Sequence, residues 1–361
     1  MGAGLHIDAV GLVSSVGNTA EASCAAFRLV LDGFTETPFI DHLSKRPIIG
    51  APIDWAQAPT LRGAERLAAM AATAVEDALG HAADTDDDGP VAVVACLAES
   101  QRPDVTAGQL ASLRAALGEK IASAGDLHII SEGAVGLVDA FEYAATLLDG
   151  ESAVQRVVVV GAESLLSSGA INYFLAGLGT PLCRLLTAGN SDGFIPGEAA
   201  AAIVLTGASD DERFGLRVRG MAMSERPEHE GQPPRAEALT DAVTQALAQA
   251  QIDIGDIAYR MSNANGEEHR FEEESLMLYR VCRPPRPDFP LVHLADKIGE
   301  VGAAAGVALM ARAYWAAREG YAEGPAALCY LMGDQTRRAA LVLDAVGKPL
   351  TQPSLASGTS P

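Results

Sequence analysis

Apolar runs of strand length alternate with amphipathic stripes of helical spacing along most of this chain. The run at 5–14 (LHIDAVGLVS) predicts a first strand. Leu67, Met70, Ala71, Ala74 and Ala78 fall at i, i+3, i+4, i+7 and i+11, one face of a helix over 62–79 that stops at Gly80. Strands follow at 91–96 (VAVVAC), 128–131 (HIIS), 157–161 (VVVVG) and 199–206 (AAAAIVLT), with a Gly/Ala-rich helix at 134–149. The order then recurs. A strand at 215–222 (GLRVRGMA) precedes a helix over 236–250 whose Leu239, Val243, Ala246, Leu247 and Ala250 share a face. Strands at 257–262, 291–294, 327–332 and 338–344 complete the series, with a second Gly/Ala-rich helix at 302–318.

Matching elements start at 91 and 257, at 134 and 302, and at 157 and 327, offsets of 166, 168 and 170 residues. Near-equal offsets indicate an internal duplication with halves at 1–207 and 208–345. The offset breaks at the outer strands, so the first half carries insertions at about 27–60 and 164–198. Insertions on a duplicated scaffold are loops, and loops carry function. Runs such as VVVVG are apolar throughout and need cover on both faces. The two Gly/Ala-rich helices present small faces that suit close packing against each other between two sheets. The predicted fold is α/β, a five-layer α-β-α-β-α sandwich of two mixed sheets. The acidic run DTDDDG at 84–89 reads as a solvated loop, and 346–361 has the composition of a disordered tail.

Charge narrows the function. The chain has 361 residues, with 26 Lys plus Arg against 47 Asp plus Glu, a formal net charge of −21. Phosphate repulsion argues against nucleic acid and against an anionic membrane surface as partners. No apolar run reaches membrane-spanning length and the start lacks a basic segment followed by an apolar one, so a cytoplasmic location is expected. Cys24, Cys96, Cys183, Cys282 and Cys329 show no CxxC spacing, and the 7 His form no HExxH or HxH. A disulfide framework, a metal site and a cofactor are therefore not predicted.

Four blocks then point to a known family. SDGFIPGEAAAAIVL at 191–205 resembles the RDGFxxGEGAGxLVL block of the β-ketoacyl synthases, with Asp192, Gly193, Phe194, Gly197 and Glu198 matching. IISEGAVGL at 129–137, SNANG at 262–266 and KIGEVGAAAG at 297–306 align in the same order. Over about 4–345 the chain resembles the thiolase superfamily, nearest the β-ketoacyl synthases. The resemblance implies acyl transfer and decarboxylative condensation, using a Cys at a helix N-terminus and two His. The family's Cys-Ala-Ser-Gly stands here as Gly133-Ala134-Val135-Gly136. Its Asn-Ala-His-Gly-Thr stands as Asn263-Ala264-Asn265-Gly266-Glu267, and its Asn-Ile-Gly-His as Lys297-Ile298-Gly299-Glu300. Nucleophile and both His are thus Gly133, Asn265 and Glu300, so a retained fold without its reaction centre, not an enzyme, is expected.

Among other candidates, Cys24 and Cys96 read as buried filler. Cys183 lies in an insertion where synthases place channel residues and is the one further thiol expected near the pocket. His269 reads as a surface-loop residue, Glu132 as a favourable charge at a helix N-terminus, and Asp192 and Glu198 as braces of their loop.

The resemblance implies a homodimer, or a heterodimer with a thiolase-like chain, formed through an edge strand and adjoining helices. The opening segments (VGLVSSVGNTAEASCAAFR, DGFTETPFIDH, PIIGAPI) are similar to degenerate thiolase-like proteins that accompany type VI secretion spike and effector proteins. That similarity implies a scaffold or accessory chaperone for effector loading. The alternatives are a chain-length-factor-like subunit beside an active ketosynthase in polyketide or aryl-polyene synthesis, an acyltransferase or hydrolase using Glu300, Glu132 and His269, and an acyl carrier.

Overall fold

A computed structural model describes residues 4–42, 44–54, 61–82, 91–102, 105–121, 127–149, 154–176, 183–185, 190–207, 213–226 and 235–347. The acidic run at 84–89 and all but the first two residues of the 346–361 tail lie outside them.

The first half runs β1 (Leu5–Val13), α1 (Ala20–Arg28), a hairpin of β2 (Thr35–Ile40) and β3 (Pro47–Gly50), α2 (Gly63–His81), β4 (Val91–Leu97), α3 (Ala107–Ile121) and β5 (Leu127–Ser131). A 3₁₀ turn at Gly133–Val135 then opens α4 (Gly136–Asp149), followed by β6 (Arg156–Ser164), α5 (Ser168–Ala176) and β7 (Glu198–Gly207). The second half contains β8 (Gly215–Glu225), α6 (Glu237–Ala250), β9 (Tyr259–Ser262), α7 (Glu268–Val281), β10 (Leu291–Val292), the short α8 (Ala295–Ile298), α9 (Ala304–Arg318), β11 (Ala326–Met332) and β12 (Arg337–Val346).

The strand order across the main sheet is β10-β9-β11-β12-β8-β1-β7-β6-β4-β5. Each half has the same five-strand order, reflected about its centre. In both, the two pairings at the outer end are parallel and the two nearer the junction of the halves are antiparallel. The hydrogen-bond topology thus repeats between the two halves. The two mixed sheets meet edge to edge, where Leu5, His6 and Ile7 pair with Val218, Arg217 and Leu216.

The five layers follow from which face of each strand is apolar. One continuous core joins a face of both five-stranded sheets to α1, α4 and α9, which occupy the middle. The opposite face of the first half packs under α2 and α3, and that of the second half under α6 and α7. Strand β1 serves two layers because its register shifts between Ile7 and Ala9. The shift turns Val10 and Leu12 to the middle with Leu5 and Ile7, and Ala9 and Val13 outward. Tyr314 of α9 donates to the carbonyl of Asp8 at 2.7 Å, satisfying the group that the shift releases.

The small residues predicted to allow helix approach do so. A side chain at Gly161 would meet the backbone of Ala303, and one at Gly306 would meet Leu137 of α4 and Leu331 of β11. The stripe on α6 is buried at every predicted position, as is that on α2 except for half-buried Leu67.

Candidate functional site

The strand and helix ends of the two halves meet around a cavity of about 130 Å³. Gly133 lies beside it at the turn between β5 and α4, with φ +60°, a conformation that favours glycine. No side chain stands there. Instead the carboxyl of Glu99, just past β4, occupies the place where one would: an added Cβ would fall inside 3.0 Å of it, closer than real Cβ atoms come to a neighbour. Burial pushes the Glu99 carboxyl up to about 8, with Asp334 and Glu163 adding to the shift.

The other two replaced positions bond to each other. Asn265 Nδ2 donates to Glu300 Oε2 at 2.6 Å and to Glu267 Oε2 at 2.9 Å. Glu300 also accepts from the Gly302 amide at 2.7 Å. Burial raises the Glu300 carboxyl to about 7, against the opposing pull of Arg270. Burial also acts to raise Glu267, but Arg270, His269 and the amide of Asn265 together hold it below its ordinary range. Arg270 is buried and donates to Glu267 at 2.7 Å, to Asp334 at 3.2 Å and to the carbonyl of Met332 at 3.1 Å. A second pair closes the other wall, where Arg102 donates to Glu163 at 2.6 Å and Glu163 accepts from the Ala303 amide at 2.7 Å.

Asn265 and Glu300 thus line one cavity, and Gly133 lies beside it under the Glu99 carboxyl. The motif residues from the 191–205 block hold that place together. Asp192 accepts the amide of Glu268 at 2.9 Å and so ties its loop to the start of α7. Gly193 donates to the carbonyl of Gly266 at 3.4 Å. Phe194 lines the cavity and meets Phe174 edge-on at 5.0 Å. Gly197 donates to the Glu300 carbonyl at 2.9 Å and lies so close to Ile298 that a methyl group would strike its carbonyl. Glu198 accepts from the Ile53 amide at 2.9 Å and Ser164 at 2.8 Å, and pairs with Arg66.

Other candidates sit differently. Cys183 is buried and packs with Phe174 and Phe194, and burial lifts its thiol to about 12, as it does for Cys24 and Cys96. Thiolate chemistry is out of reach for these three at neutral pH. Glu132 points away from the cavity to Arg337, at 2.7 Å. It is not gathered with Glu300, so the hydrolytic set of Glu300, Glu132 and His269 does not assemble. His269 is exposed in the first turn of α7, at the cavity's rim, not in a loop. Sequence reasoning missed Glu99, Glu163, Arg270 and Asp334. Glu99 carried a usable signal, a carboxylate directly after an apolar strand whose end faces the site.

A larger cavity of about 730 Å³ lies beyond the Arg102–Glu163 pair, with Leu67, Leu97, Leu110 and Leu166 among its walls. Arg102 borders both cavities.

Solved structures match this arrangement over almost its whole length. Superposition on the AntDE:AntF complex, a type II polyketide acyl-carrier protein with its ketosynthase, gives a TM-score of 0.79 at 16% identity, covering 96% of this chain and 100% of that one. The ishigamide ketosynthase/chain length factor gives 0.70 at 20% identity, covering 95% and 100%. The chain has the thiolase-superfamily fold of a β-ketoacyl synthase. Two curated proteins are similar to the ketosynthase-like chain in sequence. Polyketide synthase ThaQ of Burkholderia thailandensis is 29% identical over 202 residues, 53% of this chain and 9% of that protein. The tetracenomycin polyketide synthase ketoacyl synthase alpha subunit of Streptomyces glaucescens is 26% identical over 191 residues, 48% of this chain and 44% of that one. The match thus spans less than half the length of either relative. No family model matches the chain.

Proposed function

We propose that this chain is a non-condensing ketosynthase-like subunit that acts by pairing with a second thiolase-fold chain, in the manner of a chain length factor. The observation that carries this reading is the replacement of the nucleophile by Gly133 with the Glu99 carboxyl filling its space. Condensation needs a thiolate to hold the acyl group and imidazoles to move protons. Here a carboxyl that keeps its proton at neutral pH and an amide–carboxyl pair stand in those places. Neither forms a thioester.

The pairing surface is the outer edge of β5, the outermost strand of the first half and the one that leads into Gly133. An uncovered strand edge offers a row of backbone donors and acceptors to a partner strand. The similarity of the fold to a ketosynthase/chain length factor supports a thiolase-like partner.

The effector-chaperone role is a finer version of the same non-catalytic reading. It rests on the likeness of the opening segments, and the net charge of −21 suits a basic cargo.

The test has two arms. The chain alone, given malonyl- and acyl-carrier protein, is expected to release no CO₂ above background and to carry no acyl adduct by mass spectrometry. Sedimentation is expected to give a dimer, alone or with an added active β-ketoacyl synthase, and Ile129→Pro in β5 is expected to break it. Turnover by the chain alone overturns the non-condensing part. A monomer under both conditions, or a dimer indifferent to Ile129→Pro, overturns the pairing part.

A further inference from the structure

The groups around Gly133 hold more carboxyls than guanidiniums. Among the described residues, Glu99, Glu163, Glu267, Glu300 and Asp334 face two arginines, Arg102 and Arg270, with His269 at the rim. Arg270 is engaged by Glu267 and Asp334, and Arg102 by Glu163. Glu300 has the Asn265 amide and the Gly302 backbone instead. Glu99 is left with the weakest set, a hydrogen bond from its own backbone amide and Arg102 at longer range. It is also the group whose carboxyl fills the space over Gly133.

We propose that Glu99 is a proton-held plug: protonated, its carboxyl closes the space above Gly133, and on ionising it swings out and opens the cavity.

The physical argument turns on what each form of the side chain meets. A neutral carboxyl is tolerated at little cost in a cavity whose walls include Ala134, Leu165 and Phe174. An ionised one meets the carboxylates of Glu163 and Asp334. Like charges at partial burial repel, and Arg102, the guanidinium that acts on Glu99, is already engaged by Glu163. Glu99 is followed directly by exposed Ser100 and Gln101, so a change of its own rotamers carries the carboxylate to water without moving a strand. The midpoint of the movement falls near pH 8, where burial places the titration. Arg270 keeps Glu267 ionised throughout, and Glu300 titrates earlier, near pH 7, so the step near pH 8 belongs to Glu99 and is the one that Glu99→Gln removes.

The experiment reads the neighbour of the plug. Labelling with ¹³C-carbonyl glutamate and ¹⁵N-glycine selects Glu–Gly pairs, of which the sequence has four: 132–133, 230–231, 319–320 and 323–324. Mutation of Glu132 to Asp removes one signal and assigns it to Gly133. That signal is expected to shift with a midpoint near pH 8 in the wild type and to stay fixed in Glu99→Gln. Amide exchange gives the second readout. At pH 6 the protection of Gly133 is expected to be equal in the two proteins. At pH 9 the wild type is expected to be about tenfold less protected than Glu99→Gln, the loss that follows when most molecules have the plug out. A shift with unchanged protection would mean that Glu99 ionises in place, and the plug is overturned. No titration of the signal between pH 6 and 9.5 overturns both steps, and the wild-type measurements decide this even if the variant does not fold.

Discussion

Placing a cysteine at residue 133 tests the central geometry most directly. The backbone there already has φ +60°, so an L-residue is strained by about 1–2 kcal/mol. Its Cβ would also enter the space of the Glu99 carboxyl. That carboxyl is the free end of a flexible side chain, so displacing it to another rotamer adds about 0.5–1.5 kcal/mol. Gly133→Cys should therefore destabilise the fold by about 1.5–3.5 kcal/mol, read as a lower urea midpoint with an unchanged slope. Adding Glu99→Ala should recover the part due to the clash and leave the backbone part. The new thiol should remain inert. Below about pH 8 the protonated Glu99 carboxyl crowds the new thiol, and above it the displaced carboxylate adds to the negative charge of Glu163 and Asp334 around the cavity, so both forms oppose a thiolate there. Iodoacetamide should accordingly alkylate the introduced thiol more slowly in the single variant than in the double variant Gly133→Cys with Glu99→Ala. Condensing activity should be absent from both, because Asn265 and Glu300 supply no imidazole. Measurable condensation by the single variant, or a thiol titrating below pH 7, would refute the reasoning.

Three further expectations follow from the same cavity. Glu300 holds its proton more tightly folded than unfolded, so the stability it contributes is complete below its ordinary value of 4.5 and is lost as pH rises through about 7. The loss is about 3 kcal/mol at most, and Glu300→Gln should flatten the pH dependence of the melting temperature between pH 5 and 8. Arg270→Met leaves Glu267 buried without its cation and should destabilise by about 3–5 kcal/mol, with Glu267→Gln on the same background restoring part of it in a double-mutant cycle. Gly197→Ala drives a methyl group into the backbone of Ile298, which cannot rotate away; a drop of about 1–3 kcal/mol in unfolding free energy is expected, against a gain of up to about 1 kcal/mol for Gly80→Ala, a helical position with open space around it.

Much of the fold was legible because its signals are local and repeated. Strands such as 91–97 and 326–332 are apolar throughout, and stripes such as that on α6 repeat at helical spacing, so each predicted its own element. What escaped has a physical reason in each case. The buried side of α7 carries Arg270, Glu273 and Glu274, so a search for apolar positions finds no stripe on it. Those charges are paired across the structure, Glu273 with Arg338 at 2.8 Å and Glu274 with Arg260 at 2.5 Å. Partners 65 and 14 residues away are invisible to a window of helical length. Strands β2 and β3 are short, and β2 is mostly exposed. The site was legible only where an aligned motif marked it. The place of Glu99 after an apolar strand is readable, but its meeting with Asp334 is set by topology, since β4 and β11 belong to different halves.

The retained and the replaced motif positions differ in what they bond to, and this explains how chemistry and scaffold separate. Asp192 holds a backbone amide at the start of a helix, Glu198 holds one at Ile53 together with Arg66, and Gly197 lets two loops touch. Losing any of them would open a joint between elements. Residues 133, 265 and 300 face the cavity, where side-chain partners can be exchanged for one another: a carboxyl for a thiol, an amide–carboxyl pair for two imidazoles. The exchange is constrained only by charge. A cavity with two guanidiniums already engaged can hold Glu99 and Glu300 only if they keep their protons near neutral pH, which is the state that burial imposes on both. The same residues that fill the space of a thiolate site therefore make a thiolate there unfavourable, so restoring a cysteine restores neither the charge balance nor the proton transfer that condensation requires.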